Sequence, residues 1–169
     1  AEVIGQRDAV EALVVAAAGG HHLLMCGPPG AGKTMLARRL PGILPELDDR
    51  AALAAASIRS LAGSRVVELS RTPPFVAPHH SASVAALVGG GSRVVRPGAI
   101  ARASEGVLFL DEAGEFAASA LDALRQPLES GAITIDRAGA HAEYPARFQL
   151  VLATNPCPCG DYGIRGGTC

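Results

Sequence analysis

The stretch Gly27-Pro-Pro-Gly-Ala-Gly-Lys-Thr34 matches the pattern G-x-x-x-x-G-K-[ST] of a phosphate-binding loop. The apolar residues 23–26 precede it and the helix-capable residues 35–40 follow it, which is the strand, loop and helix order that such a loop requires. Its glycines allow a tight turn with inward-facing N–H groups, and the helix start adds partial positive charge. The predicted nucleotide-binding residues are Gly27, Pro28, Pro29, Gly30, Ala31, Gly32, Lys33 and Thr34.

Two of these side chains have a predicted chemical role. Lys33 is placed to reach the β- and γ-phosphates of a nucleotide, and the Thr34 hydroxyl is placed to bind Mg²⁺. The alternative is a Gly/Pro-rich turn that matches the pattern by chance. The apolar and helical segments on either side favour the phosphate-binding interpretation.

The composition is that of a globular protein with one sizeable core. The chain has 169 residues, of which 49% are hydrophobic and 18% charged. The net charge of −1 offers no overall attraction for nucleic acid, so any such contact must be local. No apolar run approaches the roughly 18 residues of a membrane span, and no secretory signal is visible. We therefore expect no membrane partner, a cytoplasmic location, and four cysteines that stay reduced or bind metal.

Periodicity and turn residues predict alternating helices and strands. Helices are predicted over residues 6–18, 34–40 and 49–61, and around 121–128 with a kink or restart at Pro127 and a stop at Gly131. Strands are predicted over residues 21–26, 66–69, 107–110 and 148–153. A hairpin is predicted from residues 133–135 and 146–150, around a polar turn at 138–143. Residues 71–97, rich in proline and glycine, are interpreted as an inserted segment with turns or a hairpin.

This alternation predicts an α/β fold with three layers and a mainly parallel sheet. Ligands of such sheets bind beyond the carboxyl ends of the strands, where polar residues follow two predicted strands. Asp111 is placed to hold Mg²⁺ through its water shell. Glu112 is the candidate general base or water-orienting group for attack on a γ-phosphate. Asn155 could position the attacking water or contact the γ-phosphate. The alternatives are an acidic pair that caps a helix and a simple Asn-Pro turn.

Several longer motifs occur in the same order as in a known protein family. They are Pro73-Pro-Phe-Val-Ala-Pro-His-His-Ser81, Ala86-Leu-Val-Gly-Gly-Gly91, Arg96-Pro-Gly-Ala-Ile100, Gly106-Val-Leu-Phe-Leu-Asp-Glu112 and Asn155-Pro-Cys-Pro-Cys-Gly160. Together with the phosphate loop they resemble the magnesium-chelatase-like ComM/YifB family of AAA+ ATPases over nearly the whole chain. The resemblance to the ATPase subunit of magnesium chelatase itself is broader and comes through the shared fold.

The resemblance implies an AAA+ core over residues 1–169, which binds and hydrolyses ATP with Mg²⁺ in a ring that is expected to be hexameric. ComM-type proteins act as DNA motors that promote branch migration in natural transformation. The resemblance also implies that the insertion 71–97 and a hairpin at 132–148, before the sensor strand, face the central pore. Candidate DNA contacts are then Arg93, Arg96, Arg137 and His141; the alternative is solvated surface charge.

Three smaller features leave alternatives open. The tail 157–169 carries Cys157, Cys159 and Cys169, which could form part of a zinc site or remain loose thiols, whereas Cys26 is expected to be a small core residue. His79 and His80 favour a structural or pore-contact role over a metal site, because adjacent side chains diverge in an extended backbone. Residues 4–6 match the position where the family's first residues approach adenine.

The resemblance further implies a helical lid domain after residue 169, which would carry a second sensor arginine and an arginine finger. We therefore expect residues 1–169 alone to bind ATP but hydrolyse it weakly. Two other functions compete with the DNA motor. One is a magnesium-chelatase-type ATPase that remodels a metal-inserting protein complex. The other is a nucleotide-binding assembly module without enzymatic activity.

Overall fold

The computed structural model describes residues 3–91, 95–137, 140–157, 159 and 162; for residues 137 and 140 it describes the backbone alone. Helices alternate with strands along these residues. The helices are α1 (Arg7–Gly19), α2 (Lys33–Ala37), α3 (Asp49–Leu61), α4 (Val84–Val88), α5 (Ala99–Arg102), α6 (Ala118–Asp122) and α7 (Arg125–Ser130). The strands are β1 (Leu23–Cys26), β2 (Phe75–Val76), β3 (Gly89–Gly90), β4 (Arg96–Pro97), β5 (Gly106–Leu110), β6 (Ala132–Arg137), β7 (Ala140–Pro145) and β8 (Phe148–Thr154). Short 3-10 helices occur at Leu40–Gly42 and Ala113–Glu115.

A four-stranded parallel sheet in the order β1-β8-β5-β2 forms the centre of the fold. All five residues of β5 are buried, as its uninterrupted apolar sequence predicts for a strand covered on both faces. Val107 and Phe109 pack on one face with Leu13 of α1, while Leu108 and Leu110 pack on the other face with residues of α5 and α6. The three-layer α/β architecture predicted from the sequence is therefore confirmed.

Most of the predicted core elements occur where the sequence indicated. The helix predicted over residues 49–61 is α3, which begins where the Asp48 carboxylate accepts the Ala51 N–H at 2.8 Å. The helix predicted around 121–128 is divided into α6 and α7, as a restart near Pro127 suggested. The helix after the phosphate loop is shorter than predicted, because α2 ends at Ala37 and a 3-10 turn containing Pro41 follows.

The prediction of a strand at residues 66–69 is wrong. These residues form no strand, and 82% of Val67 and 47% of Leu69 are exposed. The sheet instead ends with β2, where Phe75 stacks on Phe109 with ring centroids 5.8 Å apart. This strand lies inside residues 71–97, so part of the segment that we interpreted as an insertion belongs to the central sheet. A two-residue strand is too short to produce a recognisable periodicity.

The predicted hairpin exists, but its second arm was placed wrongly. Its arms are β6 and β7, with Ile133 opposite Tyr144, so residues 140–143 lie in a strand and not in the turn. Residues 148–150 instead begin β8, which has β1 on one side and β5 on the other. Both hydrogen-bonding edges of β8 are therefore used by the central sheet, and neither is left for a hairpin partner.

The hairpin β6–β7 is joined to the two-stranded sheet formed by β3 and β4. The Tyr144 hydroxyl donates a hydrogen bond to the Val95 carbonyl at 2.9 Å, and Ile135 lies close against the backbone at Gly89. Among the helices of the described residues, none has the length and apolar character needed to cross a lipid bilayer.

Candidate nucleotide site

The phosphate-binding loop connects β1 to α2 at the carboxyl edge of the central sheet. Gly30 and Gly32 have φ angles of +76° and +82°, a left-handed conformation in which a side chain would be strained. The Gly27 N–H donates to the Thr154 carbonyl at 3.2 Å, which joins the start of the loop to the end of β8. The loop is thus fixed by its own glycines and by a neighbouring strand.

The Lys33 ammonium group lies at the centre of this edge and has three hydrogen-bond acceptors. Its Nζ lies 2.7 Å from the Gly27 carbonyl, 2.9 Å from the Pro28 carbonyl and 3.0 Å from Asn155 Oδ1. All three acceptors are neutral, so they orient the ammonium without cancelling its charge. The Lys33 ammonium therefore retains a positive charge that an anionic ligand could neutralise.

A hydroxyl and a carboxylate meet beside this ammonium. Thr34 Oγ1 donates to Asp111 Oδ2 at 2.7 Å, and the Glu112 N–H donates to Asp111 Oδ1 at 3.1 Å. Oxygen donors of these two kinds are the protein ligands that Mg²⁺ accepts together with phosphate oxygens and water. The donor set therefore fits a magnesium ion bound with a nucleotide.

These residues surround one cleft of about 430 Å³. The carboxyl ends of β1, β5 and β8 all open into it, since the three strands are parallel neighbours. Gly27 and Pro28 take part through their carbonyls, which accept hydrogen bonds from Lys33. The predicted residues that line the cleft are Pro29, Gly30, Ala31, Gly32, Lys33, Thr34, Asp111, Glu112 and Asn155.

Glu112 lies where this cleft adjoins a second one of about 540 Å³, which is lined in part by His80 and Cys157. Its backbone is left-handed, with φ +52° and ψ +47°, an unusual conformation for a residue with a side chain. His80 Nδ1 lies 2.9 Å from Glu112 Oε2. Sequence reasoning missed this partner because the strand β2, which leads to His80, was not recognised.

Gln6 makes a second contact at the site that was not predicted from the sequence. Its side-chain amide donates to the Ala31 carbonyl of the phosphate loop, and its own backbone is left-handed at the start of α1. Residues 4–6 were predicted to approach adenine; the structure places Gln6 against the loop. This contact braces the loop from the side of α1.

The predicted DNA-contacting residues form no comparable site in the described part of the chain. Arg93 lies outside the described residues, as does the side chain of Arg137. Arg96 is exposed on β4, and His141 is exposed on β7 beside Asp136. The hydrogen bond to Asp136, and the charge of that carboxylate, raise the pKa of His141 above the ordinary value for histidine.

Of the three cysteines proposed for a zinc site, the structure describes two. Cys157 Sγ and Cys159 Sγ lie 3.1 Å apart, whereas Cys169 lies outside the described residues. Within the described residues, no three histidine, cysteine or acidic side chains are grouped as a metal site would require. Cys26 is exposed, so the prediction that it is a core residue is wrong. Among the described residues β1 is an edge strand, and Cys26 lies on its less protected side.

Comparison with known proteins is consistent with this geometry. A family model described as magnesium chelatase, subunit ChlI, matches residues 1–169. The chain is 57% identical to the competence protein ComM of Haemophilus influenzae over 162 residues, and 53% identical to the uncharacterised protein YifB of Escherichia coli K12 over 169 residues. These alignments cover 95% and 99% of this chain, but 32% and 33% of the relatives.

A solved structure has the same fold. It is a model of the complex between subunits BchI and BchD of magnesium chelatase, based on single-particle cryo-electron microscopy. One of its chains superposes with a TM-score of 0.69 at 27% identity, over 92% of this chain and 54% of that chain. The present chain spans about a third of the length of the curated relatives named above.

Proposed function

The chain belongs to the family of magnesium chelatase subunit ChlI and has the AAA+ fold, and we propose that it is the ATP-binding and ATP-hydrolysing core of a molecular motor. One observation carries this proposal. Three parallel strands bring Lys33, the Thr34–Asp111 pair and Asn155 to one cleft, although these residues are far apart in sequence. Such a cleft offers a cation and a polar side chain to the phosphates of a single nucleotide. It also offers oxygen ligands to the Mg²⁺ that accompanies them.

The residues divide the binding of Mg-ATP between them. The loop glycines and Lys33 hold the β- and γ-phosphates, with the lysine exchanging its neutral carbonyl partners for phosphate oxygens. Thr34 and Asp111 would hold Mg²⁺, which when bound would neutralise charge on the phosphate oxygens. The Thr34–Asp111 hydrogen bond already brings these two groups together.

Glu112 and Asn155 are the residues proposed to act in hydrolysis. Glu112 accepts the proton of the attacking water, and Asn155 orients that water or contacts the γ-phosphate. Both side chains line the same cleft as the phosphate loop, and Asn155 already contacts Lys33 at 3.0 Å. The two groups are therefore within the cleft in which the phosphates are proposed to bind.

The identity to ComM supports a finer proposal, namely a homo-oligomeric, hexameric ring that acts on DNA in branch migration. In this proposal the sheet β3–β4 and the hairpin β6–β7 face the pore, and Arg93, Arg96, Arg137 and His141 contact the phosphate backbone. The two elements are joined through Tyr144 and Val95, so they would move together.

The test of the proposal is the ATPase rate of the complete natural protein, with and without Mg²⁺ and with and without branched DNA. We expect Mg-dependent hydrolysis that branched DNA stimulates. The absence of hydrolysis under all these conditions would contradict the enzymatic proposal and favour a nucleotide-binding assembly module. Hydrolysis that branched DNA does not change would contradict the DNA-motor part alone.

A second candidate is an ATPase that remodels a metal-inserting protein complex. The similarity to a structure of the complex between magnesium chelatase subunits BchI and BchD favours it. In that case a partner protein, and not DNA, should stimulate hydrolysis. Measuring the ATPase rate with each stimulant in parallel separates the two candidates.

A further inference from the structure

The hairpin β6–β7 has two different faces. Ile133 and Ile135 of β6 are buried, and their cross-strand partners on β7 are Tyr144 and Ala142. These four residues lie on one face of the hairpin, because side chains alternate along a strand. The opposite face carries His141, which is exposed. One face of the hairpin is therefore used for packing within the protein.

The sheet β3–β4 lies against this packed face. A Cβ on Gly89 would be only 2.5 Å from the Arg96 carbonyl oxygen and 2.9 Å from Ile135 Cδ1, so the close approach requires a glycine. The Tyr144 hydroxyl donates to the Val95 carbonyl at 2.9 Å, between residues 49 positions apart. Two separate contacts, one apolar and one polar, thus hold the hairpin and the sheet together.

The polar contact acts on the peptide unit that leads into Arg96. The Val95 carbonyl belongs to the peptide bond between Val95 and Arg96, and Arg96 is the first residue of β4. Because a peptide unit is planar, a bond that holds its carbonyl also orients the main chain that follows. At the other end of this residue, Arg96 Nη1 is 3.7 Å from the position that a Cβ on Gly63 would take. Arg96 is therefore located through both its main chain and its side chain.

The charge of Arg96 is available to a ligand. Its side chain is exposed, and the ion pairs formed within the described part of the chain involve other residues. A guanidinium group matches the geometry of a phosphate, with which it can form two parallel hydrogen bonds. An arginine that is held in place before binding loses less conformational freedom when the phosphate arrives.

We propose that Tyr144 is a positioning residue for nucleic-acid binding: its hydrogen bond to the Val95 carbonyl fixes the main chain of β4 so that Arg96 is prepared to meet the phosphate backbone of DNA. This inference rests on the DNA-motor part of the proposed function. Tyr144 itself makes no contact with DNA in this proposal. It joins the hairpin and the sheet β3–β4 into one binding surface.

Removal of one hydroxyl tests the inference in the complete natural protein. Tyr144→Phe keeps the aromatic ring and deletes the donor, and we expect the Kd for branched DNA to rise by about threefold to tenfold. Tyr162→Phe changes the only other tyrosine of the sequence, which is 68% exposed, and should leave the Kd unchanged. Fluorescence anisotropy of labelled branched DNA measures both. The thermal unfolding midpoint and binding of a fluorescent ATP analogue verify that each variant is folded.

A double-mutant cycle shows whether Tyr144 acts through Arg96. Arg96→Ala should weaken DNA binding and reduce the slope of log affinity against log salt concentration by about 0.9, the amount expected for one lost phosphate contact. Adding Tyr144→Phe to Arg96→Ala should then raise the Kd by less than about twofold, because the group being positioned is absent.

The possible outcomes separate the two proposals. An unchanged Kd in a folded Tyr144→Phe variant overturns the positioning role and leaves the DNA-motor proposal standing. Additive losses in the double mutant also overturn it, since Tyr144 would then act other than through Arg96, and so does an unchanged salt slope in Arg96→Ala. If the unsubstituted protein binds no branched DNA, the DNA-motor part of the proposed function fails, and this inference is overturned with it.

Discussion

The nucleotide cleft and the hairpin β6–β7 are assembled in opposite ways. The bonds that define the cleft join residues far apart in the chain: Lys33 and Asn155 are separated by 122 positions, and Thr34 and Asp111 by 77. In the hairpin, the bond between His141 and Asp136 spans five positions and is exposed. Geometry at the cleft therefore depends on the whole sheet, whereas geometry at the hairpin depends mainly on its own register. Substitutions in the two regions should have separable effects.

The largest expected difference concerns the two glutamates Glu112 and Glu143. Glu112→Gln should lower ATP hydrolysis by about 10²–10⁴-fold, because the general base is lost, while ATP binding is retained. Glu143→Gln, an equivalent change on the exposed face of β7, should leave the basal rate unchanged. Steady-state hydrolysis and binding of an ATP analogue measure both effects. Equal losses in the two variants would contradict the separation of the regions.

Removal of the Lys33 ammonium should affect binding more directly. Lys33→Ala deletes the charged donor to the phosphates, and we expect ATP-analogue affinity to fall by about tenfold to a hundredfold. Arg125→Ala, which removes an exposed cation of α7 that pairs with Asp122, serves as the control and should bind normally. Titration of a fluorescent analogue is the measurement. Unchanged affinity in Lys33→Ala would mean that the phosphates bind elsewhere.

A smaller effect is expected where the hairpin meets the sheet β3–β4. Tyr144→Phe removes the hydroxyl that donates to the Val95 carbonyl and should lower the free energy of unfolding by about 0.5–1.5 kcal/mol. Basal ATP hydrolysis should not change, since the cleft does not use this bond. Denaturant unfolding and the ATPase assay test the two parts. A large fall in hydrolysis would show that the regions are coupled.

The smallest effect concerns pH and is confined to the hairpin. Because Asp136 raises the pKa of His141, the protonated pair stabilises the folded hairpin below the unfolded-state pKa of about 6.5. This contribution is lost as the pH rises through the higher folded-state pKa. A titration of the His141 ring by NMR should show a lower pKa in Asp136→Asn. An identical pKa in the two proteins would mean that the carboxylate is not the cause.

Much of the cleft could be predicted because its motifs are local and chemically specific. The residues from Gly27 to Thr34 and the pair Asp111–Glu112 follow short apolar runs, which form the strands β1 and β5. Parallel topology then places the strand ends together, so proximity could be inferred without coordinates. The confirmed fold class comes from the same alternation of strands and helices.

The features that could not be predicted depend on which strands are neighbours in the sheet. β2 has two residues, too few for a periodic signal, and without it the partner of Glu112 could not be named. The second hairpin arm was misplaced because the stretch Phe148-Gln-Leu150 suits either a hairpin or a central strand. Cys26 was expected in the core because position along a strand does not reveal whether that strand is at the edge.

Lys33 also gives the chain an unusual chemical selectivity. It is the only lysine in the sequence, so the fourteen other cationic side chains counted with it are all arginines. An amine-directed acylating reagent therefore has one side-chain target in these 169 residues, and that target lies inside the nucleotide cleft. Covalent labelling of a single amine would thus report the occupancy of the cleft, since a bound phosphate shields the group that the reagent attacks.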